Sequence, residues 1–258
     1  MQVAGPLFMT LGCSLSAILV LQTIATEKEA HLLASLRVVG LREWVHWTSW
    51  ALCYFFPCFL SAVLSTICGL VLRIRFFVQC DVSVQLLNMF LFLQSFAALA
   101  TFLGSFISRT RMVVAIALIL LFLALVSATI LTAMEASGFG YHYGTLSGWA
   151  SWAVLSLMPW FHFQRIFADV ATAAYQPDTH LPQYFHFHNL SNTPSYQETD
   201  SRGTSQTAHE YSTGTSLFVQ LFLVLFYNVG AWYVGQVASV RKPLKQFNCT
   251  TTAPLLAI

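Results

Sequence analysis

The sequence predicts an all-α, polytopic membrane protein, and three observations carry that prediction. Of its 258 residues, 57% are hydrophobic and only 9% are charged, against roughly a quarter charged in a soluble domain. The few charges lie between uncharged runs that approach or exceed the roughly 20 residues a helix needs to cross a bilayer. The six cysteines, Cys13, Cys53, Cys58, Cys68, Cys80 and Cys249, show no zinc-type pairing. Most lie in apolar runs, where a free cysteine behaves as a small hydrophobe. The net charge of +2 is too small to suggest nucleic acid, so the expected partner is the lipid bilayer of the plasma membrane or an organelle.

Residues 3–25 form the first expected span. No basic flank or cleavage pattern marks them as a removable leader. Residues 27–41 then predict a short amphipathic helix on the membrane surface. Thr26 followed three residues later by Glu29 has the pattern of a capping box. Leu32, Leu33, Leu36 and Val39 recur at helical spacing, and Gly40 is placed to end the helix in the left-handed conformation. A solvated connector with one helical turn fits the same residues.

Residues 44–72 are the second expected span, with Pro57 near the middle, where a kink is expected. Trp44, Trp47 and Trp50 open it, suited to the membrane–water interface. Residues 82–108 are the third, closed by Arg109 and Arg111, and residues 112–134 the fourth, closed by Glu135. Residues 147–164 are uncharged, but they are crowded with Trp149, Trp152, Trp160 and Phe161 and broken by Pro159. That length is marginal for a crossing. Two short helices over residues 147–170, dipping in and returning on the same side, would use the proline as their corner. Residues 176–214 are polar and read as a flexible loop outside the membrane. Residues 215–240 form the last of about five spans, followed by Arg241, Lys242 and Lys245.

The basic residues orient these spans. With residues 27–43 cytoplasmic and residues 147–164 re-entrant, eight of the twelve basic residues fall inside: Lys28, Arg37, Arg42, Arg109, Arg111, Arg241, Lys242 and Lys245. Arg73, Arg75, Arg165 and Arg202 stay outside. A crossing at residues 147–164 would reduce the bias to seven against five, so the count favours the hairpin.

The sequence contains no GxxxxGK[ST] phosphate loop, no HExxH and no GxSxG, and it offers no catalytic residue. His180, His186, His188 and His209 lie in the polar loop, which reads as a loop and not as a metal site. Asn189-Leu190-Ser191 is a glycosylation sequon on the side assigned as exoplasmic. The spans hold almost nothing ionisable, which argues against a proton relay or a charged ion filter. A pathway lined by Phe, Leu, Ser, Thr and Met would suit a lipid-like substrate, and the same residues would suit a protein with no pathway at all.

Four stretches carry a family likeness: EKEAHLLASLRVVGLREWVHWTSW (residues 27–50), CDVSVQLLNMFLFLQSFAALATFLGSFISRTR (80–111), LSLMPWFHFQRIFADV (155–170) and AWYVGQVASVRKPLKQF (231–247). In this order and spacing, residues 1–247 resemble the membrane domain of subfamily A ATP-binding-cassette (ABC) transporters, whose fold is the type V exporter. The resemblance implies ATP-driven export or flipping of lipids or other amphipaths. It makes residues 27–41 a coupling helix, in which Glu27, Lys28, Glu29, Ala30, His31, Arg37, Gly40 and Leu41 form the surface pushed by a nucleotide-binding domain. It also implies a second membrane half as partner, with ATP and Mg held on a domain outside this sequence. The family's first span, large exoplasmic domain and ATPase are missing here, and residues 248–258 diverge from it. The resemblance therefore implies a partial membrane half, with a non-transporting relic or regulatory subunit as the alternative.

Overall fold

The structure is a computed structural model that describes residues 4–30, 32–40, 42–78, 80–107, 110–136, 149–174, 187–191, 195–199, 205–209 and 212–247. Helices α1 (Ala4–Glu29), α3 (Glu43–Val71), α5 (Val82–Phe106) and α6 (Thr110–Ala136) are the long elements of the first half. The short helices α2 (Leu32–Val38) and α4 (Arg75–Val78) join them. A pair, α7 (Trp149–Ser156) and α8 (Pro159–Ala174), precedes the final helix α9 (Thr213–Phe247). A 3₁₀ turn (Phe187–Ser191) and a small hairpin, β1 (Ser195–Thr199) with β2 (Ser205–His209), lie between α8 and α9.

Among the described residues, four stretches are long and apolar enough to cross a membrane: Thr10–Glu29, Trp44–Val71, Val82–Phe106 and Thr213–Val237. The fourth expected span coincides with α6, a continuous helix of 27 residues without a charge between Arg111 and Glu135. An all-α membrane architecture results. In lipid a span must satisfy its backbone groups internally, which these helices do. Helix α5 sits at the centre, packed against α1, α3, α8 and α9. Its Met89, Phe92, Leu93, Phe96 and Ala97 are buried in the core. Around it, α3 and α9 turn Phe56, Leu60, Phe218 and Leu225 outward, as helices facing lipid should. Glycines set the closest approaches. A methyl group on Gly235 would lie 2.7 Å from the Trp47 indole nitrogen, and one on Gly230 would lie 2.9 Å from the Phe102 ring. Helix α3 runs through Pro57, which removes one ladder hydrogen bond without ending the helix.

Two boundaries differ from the sequence expectation. The surface helix does not begin at Thr26, because α1 continues to Glu29. The Thr26 hydroxyl donates to the Thr23 carbonyl at 2.8 Å, and the Thr26 carbonyl accepts the Ala30 N–H at 3.0 Å. Thr26–Glu29 is thus a last helical turn and not a cap, and the surface helix shrinks from residues 27–41 to α2. Its expected stop is present, with Gly40 at φ +95°. The second difference lies in residues 176–214, expected to be irregular throughout. Ser195 pairs with His209 and Thr199 with Ser205 in an antiparallel ladder. Tyr196, Thr199 and Thr207 have the strand preference that supports it.

The α7–α8 pair has the dimensions of a re-entrant hairpin. At 8 and 16 residues, each helix is shorter than the roughly 20 a crossing requires. The turn is fastened from two sides. The Tyr227 hydroxyl donates to the Leu157 carbonyl, and His162 Nε2 lies 3.2 Å from the Ser156 carbonyl. Phe92 stacks on Phe163 and Phe96 meets Trp160 edge-on, so α8 runs antiparallel to α5. The corner therefore lies deep in the bundle, and α8 rises from it toward the end where α5 begins.

Candidate functional site: a charged clasp at one end of the bundle

Consecutive residues on a helix point about 100° apart. Three consecutive charged residues can therefore address three neighbours, provided the helix ends among them. The last turn of α1 does so. Glu27 Oε2 accepts the Trp50 indole N–H at 3.1 Å, tying α1 to the start of α3. Trp50 is itself held by a stacked Tyr54 (5.3 Å) and an edge-on His46 (6.3 Å).

Lys28 addresses the end of α5. Its Nζ donates to the carbonyls of Gly104 at 2.6 Å, Ser105 at 2.7 Å and Ile107 at 3.4 Å. The last carbonyls of a helix have no partner within it, and the aligned peptide dipoles make that end negative. An ammonium group with three donors answers both needs. Gly104 permits the approach, because a methyl group there would stand 3.1 Å from Ile24 of α1.

Glu29 addresses the start of α6. Its carboxylate accepts the Thr110 backbone N–H at 2.7 Å and the Thr110 hydroxyl at 2.8 Å. The first amides of a helix are likewise unsatisfied, and a carboxylate there is favoured by the dipole. One turn of α1 thus binds α3, the end of α5 and the beginning of α6.

Of the residues expected to form a pushed surface, Glu27, Lys28 and Glu29 are brought together, each hydrogen-bonded to a neighbouring long helix. Ala30 closes the turn through its backbone, and Gly40 ends the surface segment in the left-handed conformation. Arg37 belongs to α2, where only its backbone is described, and His31 and Leu41 lie outside the described residues. Leu32, Leu36, Val38 and Val39 are exposed on this segment, Val38 at 89%.

Sequence reasoning missed Trp50, Gly104, Ser105 and Thr110. Their separations from the charged turn range from 23 to 81 residues, so no local pattern pairs them. The available signal was the helix stop before Arg109, which leaves carbonyls in need of a cation. At the opposite end, Asn189 lies in the 3₁₀ turn, which is docked. The Phe187 N–H donates to Asp81 Oδ2 at 2.7 Å, Leu190 is buried, and a methyl group on Gly214 would stand 2.9 Å from the Leu190 carbonyl.

The sequence pattern described as "ABC-2 family transporter protein" matches residues 1–235. The chain belongs to the ABC-2 transporter family. It is 28% identical over 239 residues to ABC transporter A family member 1 of Dictyostelium discoideum, covering 92% of this chain and 26% of that protein. It is 26% identical over 228 residues to A family member 8 of the same organism, covering 86% of this chain and 26% of the relative. With A family member 9 of Arabidopsis thaliana the identity is 24% over 155 residues, or 60% of this chain and 16% of the relative. The chain spans about a quarter of the length of the Dictyostelium relatives. The subfamily A likeness seen in its sequence agrees with all three, and the chain is an integral membrane component of this ABC-2 type.

Proposed function

We propose that this ABC-2 membrane unit moves lipids or other amphipaths, driven by ATP hydrolysis on a nucleotide-binding domain outside this sequence, with a second membrane half completing the transporter. In this reading the ATPase partner pushes on α2, through the apolar face of Leu32 and Leu36 and the Arg37 and Gly40 positions. The clasp end is then cytoplasmic, as the basic residues favour. ATP and Mg are held by the partner domain. The Asn189 sequon lies at the opposite, exoplasmic end, where it is a glycan acceptor.

The observation that supports this most is the clasp. A push on a short helix is useful only if it reaches the spans. Glu27, Lys28 and Glu29 connect the turn before α2 to the ends of three long helices. Charge-assisted hydrogen bonds are short and directional, so displacement of one partner carries the other. The uncharged outward faces of α3 and α9 suit an amphipathic cargo in contact with lipid.

The test uses the full transporter reconstituted in liposomes, with ATPase and lipid movement measured in parallel. Leu36→Asp should abolish stimulation of the ATPase by substrate lipid while nucleotide binding persists. Lys28→Met should leave ATP hydrolysis intact and reduce lipid movement several-fold. Full lipid movement in both variants would end the proposal.

A further inference from the structure

The interface of α5, α8 and α9 changes character along its length. In its deep part the contacts are apolar. Phe92 stacks on Phe163 with centroids 4.2 Å apart, and Phe96 meets Trp160 at 5.8 Å. Ala98, Leu223 and Tyr227 form a compact cluster beside them, and Phe102 packs on Tyr227 at 5.7 Å. These pairs fix the register, with α8 antiparallel to α5 and α9 parallel to it.

Beside these ring pairs, and for up to two turns away from the clasp, the same register also brings in polar side chains. Gln85 and Asn88 continue the α5 stripe of Phe92 and Phe96 at helical spacing. Ser216 and Gln220 continue the α9 stripe of Leu223 and Tyr227, level with Leu91 and Ser95 of α5. Gln164 follows Phe163 at the same height on α8. These five side chains are all buried, from 0% exposed for Asn88 and Gln220 to 4% for Gln164. Among the described residues, neither polar atom of the Asn88, Gln164 and Gln220 amides has a hydrogen-bond partner. The same holds for Gln85 Nε2 and Ser216 Oγ.

Buried polar groups in folded proteins are nearly always paired, and those without a protein partner are bridged by internal water. The chemistry of this group favours water over an ion. Four amides and a hydroxyl present donors and acceptors together, as water does, and none carries a charge. Arg165, the fully buried cation next in sequence, is engaged in interactions of its own. We propose that Gln85, Asn88, Gln164, Ser216 and Gln220 line an internal water site between the re-entrant hairpin and helices α5 and α9. Such a site gives the hairpin a wet bearing surface. This holds whether or not the chain transports lipid.

The test is X-ray hydroxyl-radical footprinting of the full chain in phospholipid nanodiscs, where radicals form at bound water inside the protein. Met89 and Phe163, both 0% exposed and adjacent to the amides, should be oxidised several-fold faster than Leu21 and Val113, 1% and 2% exposed in apolar surroundings, after correction for intrinsic reactivity. Rates no higher than those references would overturn the proposal, and this comparison needs no variant. In a Gln164→Leu, Gln220→Leu chain, or in Ser216→Ala should that double variant not fold, oxidation of Met89 and Phe163 should fall. Unchanged oxidation in a folded variant would show that water reaches these residues by another route and would also overturn it.

Discussion

The two ends of α5 are held by opposite charges used in different ways. At the clasp end, Lys28 takes the terminal carbonyls of α5, so its charge works with the helix dipole and against three acceptors at once. At the other end, Asp81 occupies the position that would cap α5, yet its side chain makes no cap hydrogen bond. It reaches out to the Phe187 amide instead. The first arrangement joins spans to one another, and the second joins a span to a loop. The difference teaches where the chain places mechanical strength: between helices at the end carrying α2, and between helix and loop at the far end.

Lys28→Met should give the largest effect. It keeps the length of the side chain while removing every hydrogen bond to the α5 terminus. A hydrogen bond to a charged group contributes about 1.5–3 kcal/mol, so a loss of about 2 kcal/mol is expected. Chemical denaturation of the purified chain in detergent, followed by tryptophan fluorescence, measures it. Lys28→Arg should recover part of the loss. Equal stability of Lys28→Met and the parent chain would remove the contrast between the two ends.

Next comes the α6 side of the clasp. Glu29→Ala and Thr110→Ala, each alone and then together, form a double-mutant cycle. The pair is exposed, so the coupling should be about 1 kcal/mol, smaller than the Lys28 effect. Additive losses would mean that the Thr110 hydroxyl contributes no bond to Glu29, and a Glu29→Ala chain as stable as the parent would mean that the carboxylate does not hold the start of α6. The Glu27–Trp50 contact should be weaker again. Trp50→Phe keeps the ring stacked on Tyr54 but removes the donor, costing about 0.5–1 kcal/mol. Restoring the loss with Glu27→Leu in the Trp50→Phe chain would confirm that the hydrogen bond was its source.

How much of this was legible in the sequence follows from range. The spans were legible because each is a local run of uncharged residues, and α5 and α6 match their expected limits within a few residues. The hairpin corner at Pro159 was legible because proline and aromatic crowding are local too. The start of the surface helix was misread at Thr26, because Thr-x-x-Glu is the same pattern whether the hydroxyl accepts at a cap or donates backward inside a helix. Tertiary contact decided the matter. Lys28 and Glu29 are fastened to Gly104 and Thr110, which gives α1 a reason to continue. The clasp partners, and the register that gathers Asn88, Gln164 and Gln220, depend on contacts between distant segments and left no trace in spacing. The β1–β2 ladder went unseen because its strands are polar on both faces, so alternation gave no signal.

The smallest expected effect tests the far end. Burial pushes the Cys80 thiol up to about 12, with Asp81 adding to the shift. The thiolate is then scarce at pH 8, and alkylation should be slow. In a chain whose other five cysteines are alanine, Asp81→Asn removes the lesser cause of that shift. It also weakens the bond to Phe187 from a charged to a neutral acceptor. Stability should fall by less than about 1 kcal/mol, because a loop and not a span is released. Maleimide labelling of Cys80 should nevertheless rise a few-fold as the 3₁₀ turn loosens. A stability loss as large as that of Lys28→Met would show that Asp81 also braces the spans, and the two ends of α5 would then share the load equally.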